Sequence, residues 1–280
     1  MEDAQPSQAA ADKAPEPPRE SWWATFRFLL YLFVGAIVLR SLVIAPFSIP
    51  SGSMLPTLMV GDYLFIAKWP YGYSRYSLPL GLASFDGRLP AGLPARGDVV
   101  VFRYPGPQNE DYVKRVIGLP GDTVAVSDGI VILNGAPLAR RRIADFAMEI
   151  SPNSPCRGAA EAVRSVTGQD GRRLCLYPRY RETLPDGRSY DIIDQIGDGL
   201  GDQYAATIVP EGQLFVMGDN RDDSMDSRFD RSQHGVGLLP VENVLGEALI
   251  NFWSTDGSAE WTKPWTWFSA ARWSRFGGTY

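Results

Sequence analysis

Only one histidine, His234, and two cysteines, Cys156 and Cys175, occur among the 280 residues. The spacing matches no metal motif, and so few nitrogen and sulfur ligands argue against a zinc centre. Lysine is also scarce: Lys13, Lys68, Lys114 and Lys263 are the whole set, so few amines compete for any lysine-dependent chemistry. The net charge is −5 and no basic block is present, which argues against nucleic acid as a partner. Long apolar runs are missing except near the start, so the chain is not a polytopic membrane protein.

The exception begins after a tail, residues 1–20, rich in Ala, Pro, Glu and Gln, a composition that cannot bury a core and is expected to be disordered. Trp22 and Trp23 look like an interfacial anchor, and Phe28 to Phe47 is apolar apart from Arg40 and Ser41. Twelve residues to Leu39 are too few to span a bilayer; counting through Arg40, which can snorkel to the headgroups, gives about the 20 required. The expectation is a cytoplasmic tail over 1–24 and one uncleaved transmembrane anchor over 25–47. Lys13, Arg19 and Arg27 ahead of the span favour a cytoplasmic N-terminus.

The rest, 48–260, reads as mostly β. Short apolar strands at 63–68, 99–104, 111–118, 123–126, 130–133 and 213–217 are separated by Gly-Asp and Pro-Gly turns. Asp128-Gly129 is a two-residue hairpin signal, and Asn134-Gly135 makes the next turn. Residues 69–96 form a long loop whose Tyr71, Tyr73, Tyr76, Leu78, Leu80 and Leu82 are placed to dip into a membrane interface. Residues 137–205 are read as an inserted β subdomain, in which Cys156 and Cys175 are either two free thiols or one disulfide. The tail from Trp261 to Tyr280 combines four tryptophans with Lys263, Arg272 and Arg275 and reads as a membrane-surface segment.

Between the anchor and the first long strand stands Ile49-Pro-Ser-Gly-Ser-Met-Leu-Pro-Thr-Leu-Met-Val-Gly61. Pro50 and Pro56 keep it out of a helix, and Gly52 permits close approach, so Ser51 and Ser53 are presented on a rigid turn. A serine hydroxyl needs a base. His234 lies in a glycine-flanked polar loop with no Gly-x-Ser-x-Gly elbow in the chain. Lys114, in Tyr112-Val-Lys-Arg-Val-Ile117, alternates with Arg115, so one basic residue of this strand is positioned to enter apolar packing and lose its charge. An acidic run, Asp219, Asp222, Asp223 and Asp226, lacks the spacing of a calcium loop.

Four segments together resemble the type I (leader) signal peptidases: the serine turn, Arg96-Gly-Asp-Val-Val-Val-Phe-Arg-Tyr-Pro105, Asp111-Tyr-Val-Lys-Arg-Val-Ile-Gly-Leu-Pro-Gly-Asp122, and Gly218-Asp-Asn-Arg-Asp-Asp-Ser-Met-Asp-Ser-Arg228. They fall within 47–68, 96–122 and 209–252, in the family's order. The one departure is Asp223, where the usual form has Asn. The resemblance implies an antiparallel, barrel-like catalytic domain with Ser53 as nucleophile and Lys114 as general base. It implies Ser51 as an oxyanion donor, Ser224 as the serine that orients the lysine, and Asp226 with Arg228 as a supporting ion pair. It implies no metal or cofactor. The implied substrate is the signal peptide of an exported preprotein, cut after Ala-x-Ala at the surface of a phospholipid bilayer, near the secretion translocon, on the outer face of a bacterial plasma membrane. Two other readings remain open from the residues: a Ser/Lys self-cleaving protease, and a membrane-tethered binding module needing neither Ser53 nor Lys114.

Overall fold

The computed structural model describes residues 22–77, 87–90, 92–158, 162–260 and 262–280. The expected disordered tail, Leu78, Leu80, Leu82 and Trp261 lie outside them. An α-helix, α1 (Trp22–Val38), buries none of its residues and runs on through one π-helical stretch, Leu39–Val43. Those 22 residues are long and apolar enough to cross a membrane: at 1.5 Å per residue they reach about 33 Å, against a hydrocarbon core of about 30 Å. The helix ends four residues before the boundary read from the sequence. Ile44–Ser48 is strand, not anchor, because its backbone pairs with a neighbour that hydropathy alone does not reveal.

Residues 39–280 form one compact unit, and it is mostly strand. In chain order these are β1 (Ile44–Ser48), β2 (Asp62–Ala67), β3 (Tyr73–Ser74), β4 (Arg88–Leu89), β5 (Val99–Arg103), β6 (Asp111–Gly118), β7 (Thr123–Ser127), β8 (Ile130–Leu133), β9 (Ala136–Pro137), β10 (Ala139–Glu149), β11 (Arg164–Thr167), β12 (Arg173–Thr183), β13 (Ser189–Ile193), β14 (Tyr204–Ile208), β15 (Gln213–Met217), β16 (Leu239–Pro240) and β17 (Val244–Ser254). The principal sheet is antiparallel with the order β1-β2-β17-β5-β6-β15-β16, and it curls into a half-barrel. The expected fold class, an antiparallel barrel-like β domain behind one N-terminal apolar helix, is met.

Alternation along β5 feeds two cores. Val99 and Val101 pack with Met54, Leu58 and Leu64 on one face, while Val100 and Phe102 pack with Val116, Leu214 and Val244 on the other. Burying each such side chain is worth about 1.5–3 kcal/mol, so this strand is held from both sides. The Asp128-Gly129 and Asn134-Gly135 turns take positive φ at both residues, as a two-residue hairpin of this twist requires.

Within 137–205, β12 carries β10 on one edge and β11 and β13 on successive halves of the other. The region is not isolated. Leu184, Tyr190 and Ile192 share a core with Ile117 and Phe215, and Tyr177 and Ile193 pack against Leu55 and Met59 of the serine turn. Cys156 and Cys175 are joined in a disulfide across a sequence separation of 19. A Cys156→Ala/Cys175→Ala variant should lose about 3 kcal/mol of unfolding free energy, read by denaturant titration in detergent, with no such change on reducing the variant further.

The described tyrosines of the long loop and two arginines of the tail are held by the protein itself. Tyr71 is buried with its hydroxyl donating to Asp98 at 2.7 Å, Tyr73 donates to the Leu42 carbonyl, and Tyr76 packs on a core. Buried Arg88 holds this loop by donating to the carbonyls of Tyr71, Gly72, Val241 and Val244. In the tail, Trp265, Trp267, Phe268, Trp273 and Lys263 are exposed, whereas Arg272 and Arg275 point inward. Arg275 makes a forked pair with buried Asp62 and donates to the Thr57 carbonyl, and Arg272 donates to the Val60 carbonyl and the Ser154 hydroxyl.

Candidate active site

The serine turn is the connection between β1 and β2. Its neck is closed by backbone bonds between Ile49 and both Gly61 and Asp62, and Met59 N–H donates to the Asp62 carboxylate. Met54 and Leu58 are fully buried beneath it, so the turn is nailed to the core rather than draped over it. From the other side comes the segment after β15. Asn220 N–H donates to the Ser53 carbonyl at 3.0 Å, and its side-chain amide donates to the Gly52 carbonyl at 3.1 Å. Gly218 makes this approach possible: a β-carbon there would overlap the Ser53 carbonyl and the Ser224 hydroxyl.

Lys114 stands on β6 opposite Val100. Its Nζ donates to Ser53 Oγ at 2.7 Å and to its neighbour's carbonyl, Val113, at 3.0 Å. The Tyr112 ring centroid lies 5.7 Å from the amine. Burial drives the Lys114 ammonium pKa down to about 8, against the opposing pull of Asp226, Asp219 and Asp223. About one amine in ten is then neutral at pH 7 and half at pH 8. Arg115, one position on, is equally buried on the opposite face. There Asp219 takes a forked pair from it at 2.8 and 2.6 Å, which outweighs burial and keeps its pKa high. The two basic residues of this strand are therefore sorted by partner: a carboxylate for the arginine, an alcohol and a carbonyl for the lysine.

Ser51 Oγ lies 3.4 Å from Ser53 Oγ. The Ser53 N–H has no acceptor among the described residues. Ser224 is buried and donates to Asp226 at 2.8 Å; no hydrogen bond joins it to Lys114 among the described residues. Asp226 and Arg228 form a buried forked pair at 2.9 Å, and Gly218 N–H also donates to Asp226. Burial opposes the Asp226 charge, yet Arg228 and these donors hold its carboxyl below the usual range. Arg228 also caps the Arg221 carbonyl at 2.6 Å, and Arg221 pairs with buried Glu182.

Ser51, Ser53 and Lys114 line a cavity of about 530 Å³ together with Phe47, Pro50, Tyr112, Val113 and Met225. Its walls are two open strand edges. β15 pairs only with 115–118, leaving Asp111–Lys114 free on that side, and β1 is the outermost strand of its sheet. His234 does not line this cavity; it is exposed at the end of a short 3₁₀ turn with a positive φ. Lys68 is also elsewhere, donating to the Ser77 carbonyl.

The site thus sets an alcohol 2.7 Å from a buried amine of lowered pKa. The signal peptidase, peptidase S26 family model matches residues 22–253. The chain belongs to that family. It is a serine endopeptidase. Among its relatives, the signal peptidase I of Rickettsia typhi is 37% identical over 241 residues, covering 83% of this chain and 80% of that protein. The signal peptidase I of Rickettsia akari is 34% identical over 253 residues, covering 85% and 83%. A solved signal peptidase I from Enterococcus faecalis aligns at 26% identity over 55% of this chain and 96% of its own, with a TM-score of 0.28.

Several supports of this peptidase site were not read from the sequence: Asn220 on the serine turn, Asp219 against Arg115, and the Asp62–Arg275 pair under the turn. Asp219 and Asn220 lie inside the Gly218–Arg228 motif, which was the available signal. Nothing local marks Asp62 and Arg275 as partners.

Proposed function

We propose that this peptidase removes signal peptides from exported preproteins, with Ser53 as nucleophile and Lys114 as general base. The observation that carries the reading is the 2.7 Å contact between the Lys114 amine and Ser53 Oγ in a buried setting that lowers the amine's pKa to about 8. Neutral Lys114 takes the Ser53 proton as Oγ attacks the scissile carbonyl, then passes it to the leaving amine. Water hydrolyses the acyl-enzyme with the same amine as base. The free Ser53 N–H and the Ser51 hydroxyl hold the oxyanion; one such donor is worth about 3–4 kcal/mol. Ser224, Asp226 and Arg228 act behind them by fixing the 218–228 segment on which the Ser53 carbonyl rests.

The segment before the scissile bond binds extended between the open edges of β1 and β6, which supply backbone groups to a strand-like substrate. The family resemblance implies shallow pockets there for the small residues of an Ala-x-Ala site. The helix Trp22–Val43 anchors the enzyme in the bacterial plasma membrane with its N-terminus in the cytoplasm, so the active site stands at the outer bilayer surface, beside the translocon that delivers substrate. The test is cleavage of an Ala-x-Ala preprotein by the detergent-solubilised chain. Wild type should cut, Ser53→Ala should lose at least about 10³-fold in kcat/KM, and His234→Ala should match wild type. A folded His234→Ala variant that is inactive would return the base to histidine, and an inactive wild type would favour the binding module.

A further inference from the structure

A second cavity, of about 380 Å³, opens on the other side of the serine turn. It shares Pro50, Ser51 and Asp223 with the first cavity, so the two meet beside the nucleophile. Its far wall is the segment 152–157, held by the Cys156–Cys175 disulfide and by the Arg157 N–H donating to Tyr177 Oη at 3.2 Å. Two charged groups face it, Asp223 on the nucleophile side and Arg157 on the wall. The Arg157 guanidinium is exposed and has no ion-pair partner among the described residues. It is nevertheless close enough to Asp223 to pull that carboxyl's pKa down against the dominant upward push of burial.

A substrate whose scissile carbonyl rests on Ser53 has two directions to fill. The first cavity, with its open strand edges, takes the residues before the bond. Its partner across Ser51 is left for the residues after the bond. We infer that the second cavity receives the first residues of the mature protein and that Arg157 selects an acidic side chain among them. This rests on Ser53 being the nucleophile. Arg157 is a specificity residue in this account, acting on substrate charge and not on the chemistry at Ser53. Asp223, nearer the bond, disfavours a second negative charge beside the scissile amide and so sets the acidic preference one or more residues further along.

The experiment uses the full chain in detergent and two preproteins identical except for Glu or Lys at the second residue after the cleavage site. Wild type should cut the Glu substrate about fivefold more efficiently in kcat/KM, as expected for one exposed ion pair. Arg157→Gln should bring the ratio close to one, and Arg157→Glu should invert it. Because the readout is a ratio within one enzyme preparation, partial misfolding of a variant does not alter it. The wild-type ratio should also shrink as salt is raised from 50 mM to 1 M, a measurement that needs no variant. Cleavage of both substrates with a ratio near one, or a ratio that Arg157→Glu leaves unchanged, overturns this inference and leaves the Ser53 assignment standing. Failure of wild type to cut either substrate overturns that assignment and this inference with it.

Discussion

Lys114→Met is expected to abolish turnover while making the protein more stable. General-base assistance is worth about 10²–10⁴-fold, and groups acting as one unit lose more than their separate shares, so kcat should fall by about 10⁴-fold or more. As the proposed base, Lys114 can accept the Ser53 proton only when its amine is neutral. Wild-type kcat/KM should therefore rise with pH up to about 8, where burial places the Lys114 pKa, and level off above it. Stability carries the opposite cost. An ordinary lysine titrates near 10.5, so between about 8 and 10.5 the unfolded chain binds more protons than the native one, and native stability rises with pH through that window. Below about pH 8 the full cost is present, about 3 kcal/mol for a shift of this size. Methionine fills the same volume with no charge to desolvate. At pH 7 the variant should unfold several degrees above wild type in calorimetry, and the gap should close by pH 10.5. A variant that is inactive and also less stable at pH 7 would contradict the buried, strained base.

Arg228→Met is expected to be the most destabilising single change near the site. It leaves the Asp226 carboxylate buried with its ionic partner removed, a loss of about 3–5 kcal/mol. The Arg221 carbonyl loses its cap at the same time. Asp226 also receives Gly218 N–H, and Gly218 is where the segment abuts the Ser53 carbonyl, so activity should fall along with stability. Adding Asp226→Leu removes the unpaired charge and should recover part of the stability, seen as a higher denaturant midpoint than the single variant, without restoring cleavage. If Arg228→Met shifted the midpoint by less than about 1 kcal/mol, the pair would not be the support it is taken to be.

The features legible in the sequence are those set by neighbours along the chain. Asp128-Gly129 and Asn134-Gly135 have the residues that tolerate positive φ, so their turns could be placed to the residue. The strand 111–118 carries its own alternation. Ser53 and Lys114 were named because their motifs also resemble a known family, and the structure brings them within hydrogen-bond distance. What was misread depends on distant partners. Ile44–Ser48 is as apolar as the anchor before it and becomes strand only because β2 lies alongside. Arg275 looks like a membrane-surface charge until Asp62, some two hundred residues away, is placed next to it. Composition likewise left Cys156 and Cys175 as thiols or a disulfide; the packing of β12 beside the 152–157 segment decides it.

The position of β17 has a consequence for biosynthesis. In the principal sheet, the pair β1-β2 that carries the serine turn is joined to the pair β5-β6 that carries Lys114 through β17, which is made after both. A nascent chain ending before Val244 holds both reactive groups but lacks the strand that sets them side by side. Loop closure over this distance is slow, and the sheet cannot be completed piecemeal as it emerges. Proteolytic competence therefore arrives in a single late step, once the chain has been made through Ser254. The peptidase is inert while it is itself unfinished.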